Sequence, residues 1–134
     1  MSPISAPKAK RVIIVEDDAS MSQALERILR LGGYASIVYA SAEVFLASDG
    51  VEGAGCLIID VRLPKLNGFE LHRRIGQSGA ILPAIFITAF DAGDARAKAR
   101  DAGAFAFLPK PFSGRVLLET VASALGLATS DEPS

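Results

Sequence analysis

The chain lacks several features that would assign it to a particular class of protein. It has no tryptophan and a single cysteine, Cys56, among 134 residues. One cysteine excludes an internal disulfide and a cysteine-rich metal site, and its position inside an apolar run predicts a buried, unreactive thiol. No apolar run approaches the roughly 20 residues that a membrane-spanning helix needs. We therefore expect neither a disulfide-stabilised domain nor a membrane protein.

The charge of the chain excludes a further class. Fourteen lysines and arginines oppose fifteen acids, for a net charge of −1, and the cations are spread along the sequence. A protein that binds nucleic acid usually concentrates cations on one face, so we expect no direct contact with nucleic acid. Lys8, Lys10 and Arg11 precede the apolar run 12–15, which is too short for a signal-peptide core and is followed by acids. These features favour a cytosolic protein.

Short apolar runs alternate with segments of helical periodicity. Such alternation, with strands that are apolar throughout, predicts an α/β fold with a parallel sheet covered by helices on both faces. The predicted strands are 12–15, 34–39, 56–60, 84–88 and 105–108. The predicted helices begin near Asp18 or Ser20, at Ser41, after Asn67-Gly68, near Ala92 and at Ser113.

The ends of the chain and the fourth helix have unusual compositions. Residues 1–10 and 128–134 are small, polar and proline-bearing, so we predict disordered tails around a single domain at 11–127. The inward stripe of the fourth predicted helix, 92–102, consists of alanine alone. Alanine buries little area, so this helix should be loosely anchored.

Polar residues end four of the predicted strands. Glu16 and Asp17 follow the first, Asp60 ends the third, Thr88 ends the fourth, and Lys110 lies just beyond the fifth. The carboxyl ends of central parallel strands meet at one edge of the sheet, where open α/β folds bind their ligands. Three acids, a hydroxyl and an ammonium would suit a divalent cation and an aspartate that accepts a phosphoryl group.

These motifs resemble the receiver domain of two-component response regulators. The resemblance extends from about Arg11 to about Leu127. It implies a doubly wound, flavodoxin-like (βα)5 sandwich whose five-stranded parallel sheet has the order 2-1-3-4-5. The motifs are Val15-Glu16-Asp17-Asp18, Ile58-Ile59-Asp60-Val61-Arg62-Leu63-Pro64, Asn67-Gly68, Ile87-Thr88-Ala89 and Lys110-Pro111-Phe112.

The resemblance also implies roles for the residues at the sheet edge. Asp60 would accept a phosphoryl group from a histidine kinase or a phosphotransfer protein, and Thr88 and Lys110 would contact that group. Asp17, Asp60 and the backbone carbonyl of Arg62 would bind Mg²⁺ directly, while Glu16 would act mainly through water. In this family the peptide bond corresponding to Lys110-Pro111 is commonly cis.

A switch and an output surface follow from the same resemblance. Phe107 matches the aromatic switch position, where the ring rotamer is coupled to movement of Thr88; packing in the core is the alternative role for this ring. Phosphorylation would then alter partner binding or self-association at the face formed by the fourth helix, fifth strand and last helix. His72, on a predicted helix away from the acids, is not expected to accept phosphate.

Other functions remain open at this point. The loop sequences are most similar to FixJ-type receivers, which usually precede a DNA-binding domain, so the chain is a stand-alone receiver or part of a longer regulator. A Mg²⁺-dependent phosphatase of the haloacid dehalogenase type would have Asp-x-Asp where this chain has Asp60-Val61-Arg62. A scaffold that works without phosphorylation would normally lack Asp60 or Lys110. We expect a phosphoacceptor switch, not an enzyme.

Overall fold

Strands and helices alternate along the described part of the chain. The computed structural model describes residues 11–48, 53–63, 66–79, 82–88 and 93–126. The strands are β1 (Arg11–Val15), β2 (Ser36–Tyr39), β3 (Ala54–Asp60), β4 (Ala84–Thr88) and β5 (Ala106–Pro109). The helices are α1 (Ala19–Leu31), α2 (Ala42–Leu46), α3 (Gly68–Gln77), α4 (Gly93–Asp101) and α5 (Gly114–Ala124).

The strands form one parallel sheet in the order β2-β1-β3-β4-β5, as the resemblance implied. The central strands β1, β3 and β4 are those with nearly continuous apolar sequences, because both faces of the sheet are covered. Every residue of the edge strands β2 and β5 is partly exposed. The doubly wound α/β architecture predicted from the sequence is therefore confirmed.

Side chains alternate between two core layers, one on each face of the sheet. Ile59 and Phe86 belong to the layer that also contains residues of α2, α3 and α4. Ile58 and Ile87 belong to the layer that contains residues of α1 and α5. Cys56 lies in this second layer, where burial raises the pKa of its thiol to about 12, so the prediction of a buried, unreactive cysteine fits the structure.

Polar residues at the predicted positions begin the helices. The side chain of Asp18 accepts hydrogen bonds from the backbone N–H groups of Ser20 and Met21, so Asp18 is the N-cap of α1. Ser41 and Ser113 accept the equivalent bonds in α2 and α5. These caps satisfy backbone donors that the helix itself leaves unpaired, which fixes where each helix leaves the sheet edge.

The structure shifts some predicted boundaries and leaves others outside the described residues. β5 begins at Ala106, because the ladder with β4 starts there, and Phe105 before it is 46% exposed. Ala92 and both predicted tails lie outside the described residues. In the described part of α4, Ala99 is buried as predicted, while its neighbours in the alanine stripe, Ala95 and Ala102, are only partly so.

Among the described residues, no helix combines the length and the apolar character needed to cross a lipid bilayer.

Candidate functional site

Three carboxylates meet at the carboxyl ends of β1 and β3. Glu16 and Asp17 directly follow β1, and Asp60 is the last residue of β3, the strand that pairs with β1. Each of the three offers one carboxylate oxygen, and these oxygens lie within 4.8 Å of one another. The convergence predicted from strand ends is therefore present in the structure.

Asp60 is held on both of its carboxylate oxygens. The side chain is 9% exposed, and its Oδ1 accepts a hydrogen bond of 2.9 Å from the backbone N–H of Arg62. The other oxygen, Oδ2, lies 3.7 Å from the ammonium nitrogen of Lys110. This geometry fixes the carboxylate at the sheet edge and keeps a cation beside the oxygen that the backbone does not bind.

Lys110 faces Glu16 as well as Asp60. Its Nζ lies 3.6 Å from Oε1 of Glu16, and its side chain is 18% exposed. The Lys110-Pro111 peptide bond is cis, as the resemblance implied. The backbone N–H of Lys110 donates a 2.7 Å hydrogen bond to the carbonyl of Thr88, which ties this loop to the end of β4.

Thr88 lies one strand away from the acids. It ends β4, which pairs with β3 so that Asp60 is opposite Ile87. The residue is 2% exposed. The structure thus places a buried hydroxyl-bearing residue beside the strand end that carries Asp60.

The buried surroundings of Glu16 disfavour its charged form, which a bound cation would stabilise. Its Oε2 accepts a 3.1 Å hydrogen bond from the N–H of Asp18, but its buried Oε1 accepts none from the described residues. Burial raises the pKa of Glu16 to about 7; Asp60 raises it further, and the Asp18 N–H and Lys110 act in the opposite direction. A buried acceptor beside two other carboxylates is a donor set that fits a hard dication such as Mg²⁺.

The raised pKa of Glu16 predicts a pH-dependent stability in magnesium-free buffer. Between about pH 4.5 and 7 the folded chain keeps a proton on Glu16 that the unfolded chain releases. The contribution of Glu16 to the free energy of unfolding should therefore fall as the pH rises through this window, by about 2 kcal/mol. Urea unfolding followed by circular dichroism at several pH values measures this. In Glu16→Gln most of this fall should disappear; an identical pH dependence in both proteins would contradict the assignment.

A cavity of about 560 Å³ opens beside the acidic group. Its walls include Asp17, Arg62 and Asn67. Of the three acids, Asp17 lines this cavity, and Val61, which follows Asp60, lines it as well. Arg62 is exposed and donates its backbone N–H to Asp60, whereas the role predicted for its carbonyl group in binding metal stays a prediction.

Two aromatic residues singled out in the sequence pack against the core on one face of the sheet. Phe107 is partly buried in β5 and packs against the core layer of α2, α3 and α4. His72 lies in α3 with its ring 5.6 Å from that of Phe86, and burial lowers its pKa. The switch role predicted for Phe107 stays a prediction, as does the expectation that His72 does not accept phosphate.

The sequence interpretation missed the part that Gly68 plays in the site. Gly68 is the first residue of α3, and a Cβ atom there would lie 2.6 Å from the backbone carbonyl oxygen of Asp60. Its N–H donates to the carbonyl of Val61. The sequence predicts a helix after Asn67-Gly68 but does not reveal that the start of this helix packs directly on the end of β3.

Comparison with known proteins gives consistent matches. The family model described as response regulator receiver domain matches residues 12–122. The response regulator protein TmoT of Ectopseudomonas mendocina is 37% identical over 117 residues, which are 87% of this chain and 53% of TmoT. The chain thus spans about half the length of the curated relatives it matches.

Solved structures agree with this assignment. The crystal structure of FixJ-N superposes with a TM-score of 0.80 at 33% identity, covering 87% of this chain and 94% of FixJ-N. A response regulator receiver protein from Burkholderia phymatum gives a TM-score of 0.77 at 40% identity, covering 88% and 96% of the two chains. The chain therefore belongs to the response regulator receiver domain family and functions in two-component signal transduction.

Proposed function

We propose that Asp60 is the phosphoacceptor of this receiver. The observation that carries the proposal is a buried carboxylate fixed by the Arg62 N–H and faced by the Lys110 ammonium, next to an open cavity. An Asp60 oxygen attacks the phosphorus of a phosphohistidine on a kinase or phosphotransfer protein. The new O–P bond forms an acyl phosphate as the N–P bond breaks, and the donor imidazole keeps its electron pair and takes up a proton from water.

Lys110 and Thr88 have separate roles in this proposal. Before transfer, the Lys110 ammonium offsets the charges of Asp60 and Glu16, 3.7 and 3.6 Å away. After transfer, it pairs with the phosphoryl oxygens, and the Thr88 hydroxyl donates a hydrogen bond to one of them. Phosphoryl transfer depends mainly on positioning and charge stabilisation, which these groups supply without a covalent intermediate of their own.

A divalent cation belongs to the proposed site. Receiver domains bind Mg²⁺ at an acidic pocket, and this chain has the matching group of Glu16, Asp17 and Asp60. We propose that Asp17 and Asp60, with the carbonyl of Arg62, hold Mg²⁺ directly and that Glu16 binds through water. When bound, the ion would neutralise the three carboxylates and the incoming phosphoryl oxygens, which otherwise repel one another.

The output surface we propose is the α4-β5-α5 face. Thr88 ends β4, the neighbour of β5, and Phe107 of β5 contacts both the core and a residue of α4. Contact between Thr88 and a phosphoryl group would change what this face presents to a downstream protein or to a second copy. The chain acts as a phosphoacceptor switch in the cytoplasm and makes no direct contact with nucleic acid or membrane.

Two forms of the whole protein are compatible with this function. The chain covers 94% and 96% of the FixJ-N and Burkholderia structures but only 53% of TmoT, so its length fits a stand-alone receiver and equally the receiver part of a longer response regulator. The proposal for Asp60 is the same in both forms. None of the comparisons described favours the alternative of a haloacid dehalogenase-type phosphatase.

Acetyl phosphate offers a test that needs no identified kinase. Incubation with acetyl phosphate and Mg²⁺ should add a single phosphoryl group, seen by intact-mass spectrometry. The same incubation with a chelator should add no phosphoryl group, because the carboxylates then oppose the anionic donor. Acetyl phosphate can also acetylate lysines, and the acetyl group adds a different mass from a phosphoryl group. Lysine acetylation in the chelator sample would show that the reagent was active there. Phosphoryl addition that is unaffected by the chelator would contradict the metal-dependent site.

A further inference from the structure

Phe107 and Thr88 lie on the same face of the sheet. Phe107 pairs in register with Phe86, and Thr88 is two residues beyond Phe86 on the same strand. Because side chains alternate along a strand, all three point toward the layer that contains α4. Strand spacing and rise place the Cα atoms of Thr88 and Phe107 roughly 8 Å apart, within reach of an aromatic ring.

A cation from α4 lies over the ring of Phe107. The guanidinium carbon of Arg96 lies 4.9 Å from the centre of the ring, which is within the range of a cation–π interaction. Thr88 of the neighbouring strand β4 therefore lies to one side of the Phe107 ring, and Arg96 of α4 lies over it. A movement of the ring would change its position relative to both residues.

This contact joins α4 to the sheet in addition to the packing of Ala99. Among the α4 residues whose side chains are described, 95–101, Ala99 alone is buried. An alanine buries little apolar area, so it fixes the orientation of a helix weakly. The Arg96 side chain reaches further and contacts an aromatic ring of β5, so it joins α4 directly to that ring.

We propose that Arg96 is a positioning residue for Phe107: its guanidinium holds the ring in the orientation of the unphosphorylated protein and transmits any change of that orientation to α4. The proposal deepens the function given above and rests on it only for the effect of phosphorylation. The contact stabilises the state in which it forms, relative to any state in which the ring turns away from Arg96. A cation–π contact near the surface corresponds to roughly a two- to fivefold shift in such an equilibrium.

Three variants distinguish the contact of the Arg96 guanidinium with the Phe107 ring from the effects of its positive charge and of α4 stability. Arg96→Ala removes the guanidinium and leaves a good helix former. Arg96→Lys keeps the charge but loses the planar group that stacks on a ring. Arg100→Ala removes the same charge from an exposed position later in α4 and is the matched control.

The primary measurement is the NMR spectrum of the Phe107 ring in the unphosphorylated protein. The ring would be labelled with ¹³C and assigned through Phe107→Leu. We expect Arg96→Ala to shift the ring signals and to populate a second ring orientation, Arg96→Lys to give an intermediate spectrum, and Arg100→Ala to match wild type. Ring signals that do not change in Arg96→Ala, or that change equally in Arg100→Ala, would overturn the proposal.

A second measurement connects the ring to signalling. If phosphorylation requires the ring to turn away, Arg96→Ala should react with acetyl phosphate roughly two- to fivefold faster than wild type and Arg100→Ala. Unchanged rates together with altered ring signals would overturn the coupling to phosphorylation. Because the ring spectrum is recorded without phosphate, a failure of the Asp60 assignment would leave that result intact, so the two claims fail separately.

Discussion

Asp60→Asn is expected to abolish phosphorylation by acetyl phosphate completely. The amide nitrogen and oxygen that replace the carboxylate cannot form the acyl phosphate, although the side chain keeps nearly the same shape. The Asn oxygen can still accept the Arg62 N–H, so the loop after β3 should keep its structure. Intact-mass spectrometry of the variant with acetyl phosphate and Mg²⁺ measures the effect directly.

Asp17→Asn provides the matched control for Asp60→Asn. Asp17 belongs to the same acidic group but is exposed, and we assign it to the metal and not to the phosphoryl group. This variant should still be phosphorylated once, but only at higher Mg²⁺ concentrations than wild type. Complete loss in Asp17→Asn at all Mg²⁺ concentrations, or residual modification of Asp60→Asn, would contradict this division of roles.

Gly68→Ala is expected to cause a large loss of stability. The added Cβ would lie 2.6 Å from the carbonyl oxygen of Asp60, 2.9 Å from Cγ2 of Ile59 and 3.1 Å from Cα of Val61. Two of these neighbours are backbone atoms, so the start of α3 must move away from the end of β3. We expect the free energy of unfolding to fall by about 3 kcal/mol. Phosphorylation by acetyl phosphate should slow as well, since the displaced backbone carries Asp60.

Gly76→Ala is the control for the same substitution in the same helix. A Cβ at Gly76 would have no neighbour within 4 Å, and the residue has no unusual backbone angle. Alanine should therefore stabilise the chain by about 0.5–1 kcal/mol through helix propensity alone. Urea unfolding of both variants is best followed by far-ultraviolet circular dichroism, because the chain has no tryptophan whose fluorescence could report unfolding. Equal stabilities for Gly68→Ala and Gly76→Ala would show that α3 does not pack on β3 as described.

The fold was predictable because its main determinants are local in the sequence. Buried parallel strands produce apolar runs such as 12–15, and N-caps such as Ser41 and Ser113 mark helix starts. The ends of the runs also placed Glu16, Asp17 and Asp60 together, since parallel strands end at one edge. The strand order came from the family resemblance, because periodicity does not specify which strands are neighbours.

Other properties depend on contacts between distant segments and could not be predicted. The close approach of Gly68 to Asp60 depends on how α3 leaves the sheet, and a glycine after asparagine looks like an ordinary turn. The stacking of Arg96 on Phe107 joins two elements through the tip of a long side chain. To predict the raised pKa of Glu16, one must know that its carboxylate is buried and that one of its oxygens accepts no hydrogen bond from the described residues.

The position of the phosphoryl group tests the account most directly. Borohydride reduces an aspartyl phosphate to homoserine and releases the phosphate, which leaves a permanent mark at the acceptor. After incubation with acetyl phosphate and Mg²⁺, reduction and peptide mass spectrometry should find homoserine at position 60 and at no other acid, and none in a sample treated with chelator. Homoserine at Asp17 or elsewhere, or phosphorylated protein with no homoserine at all, would contradict the assignment of Asp60 as the phosphoacceptor.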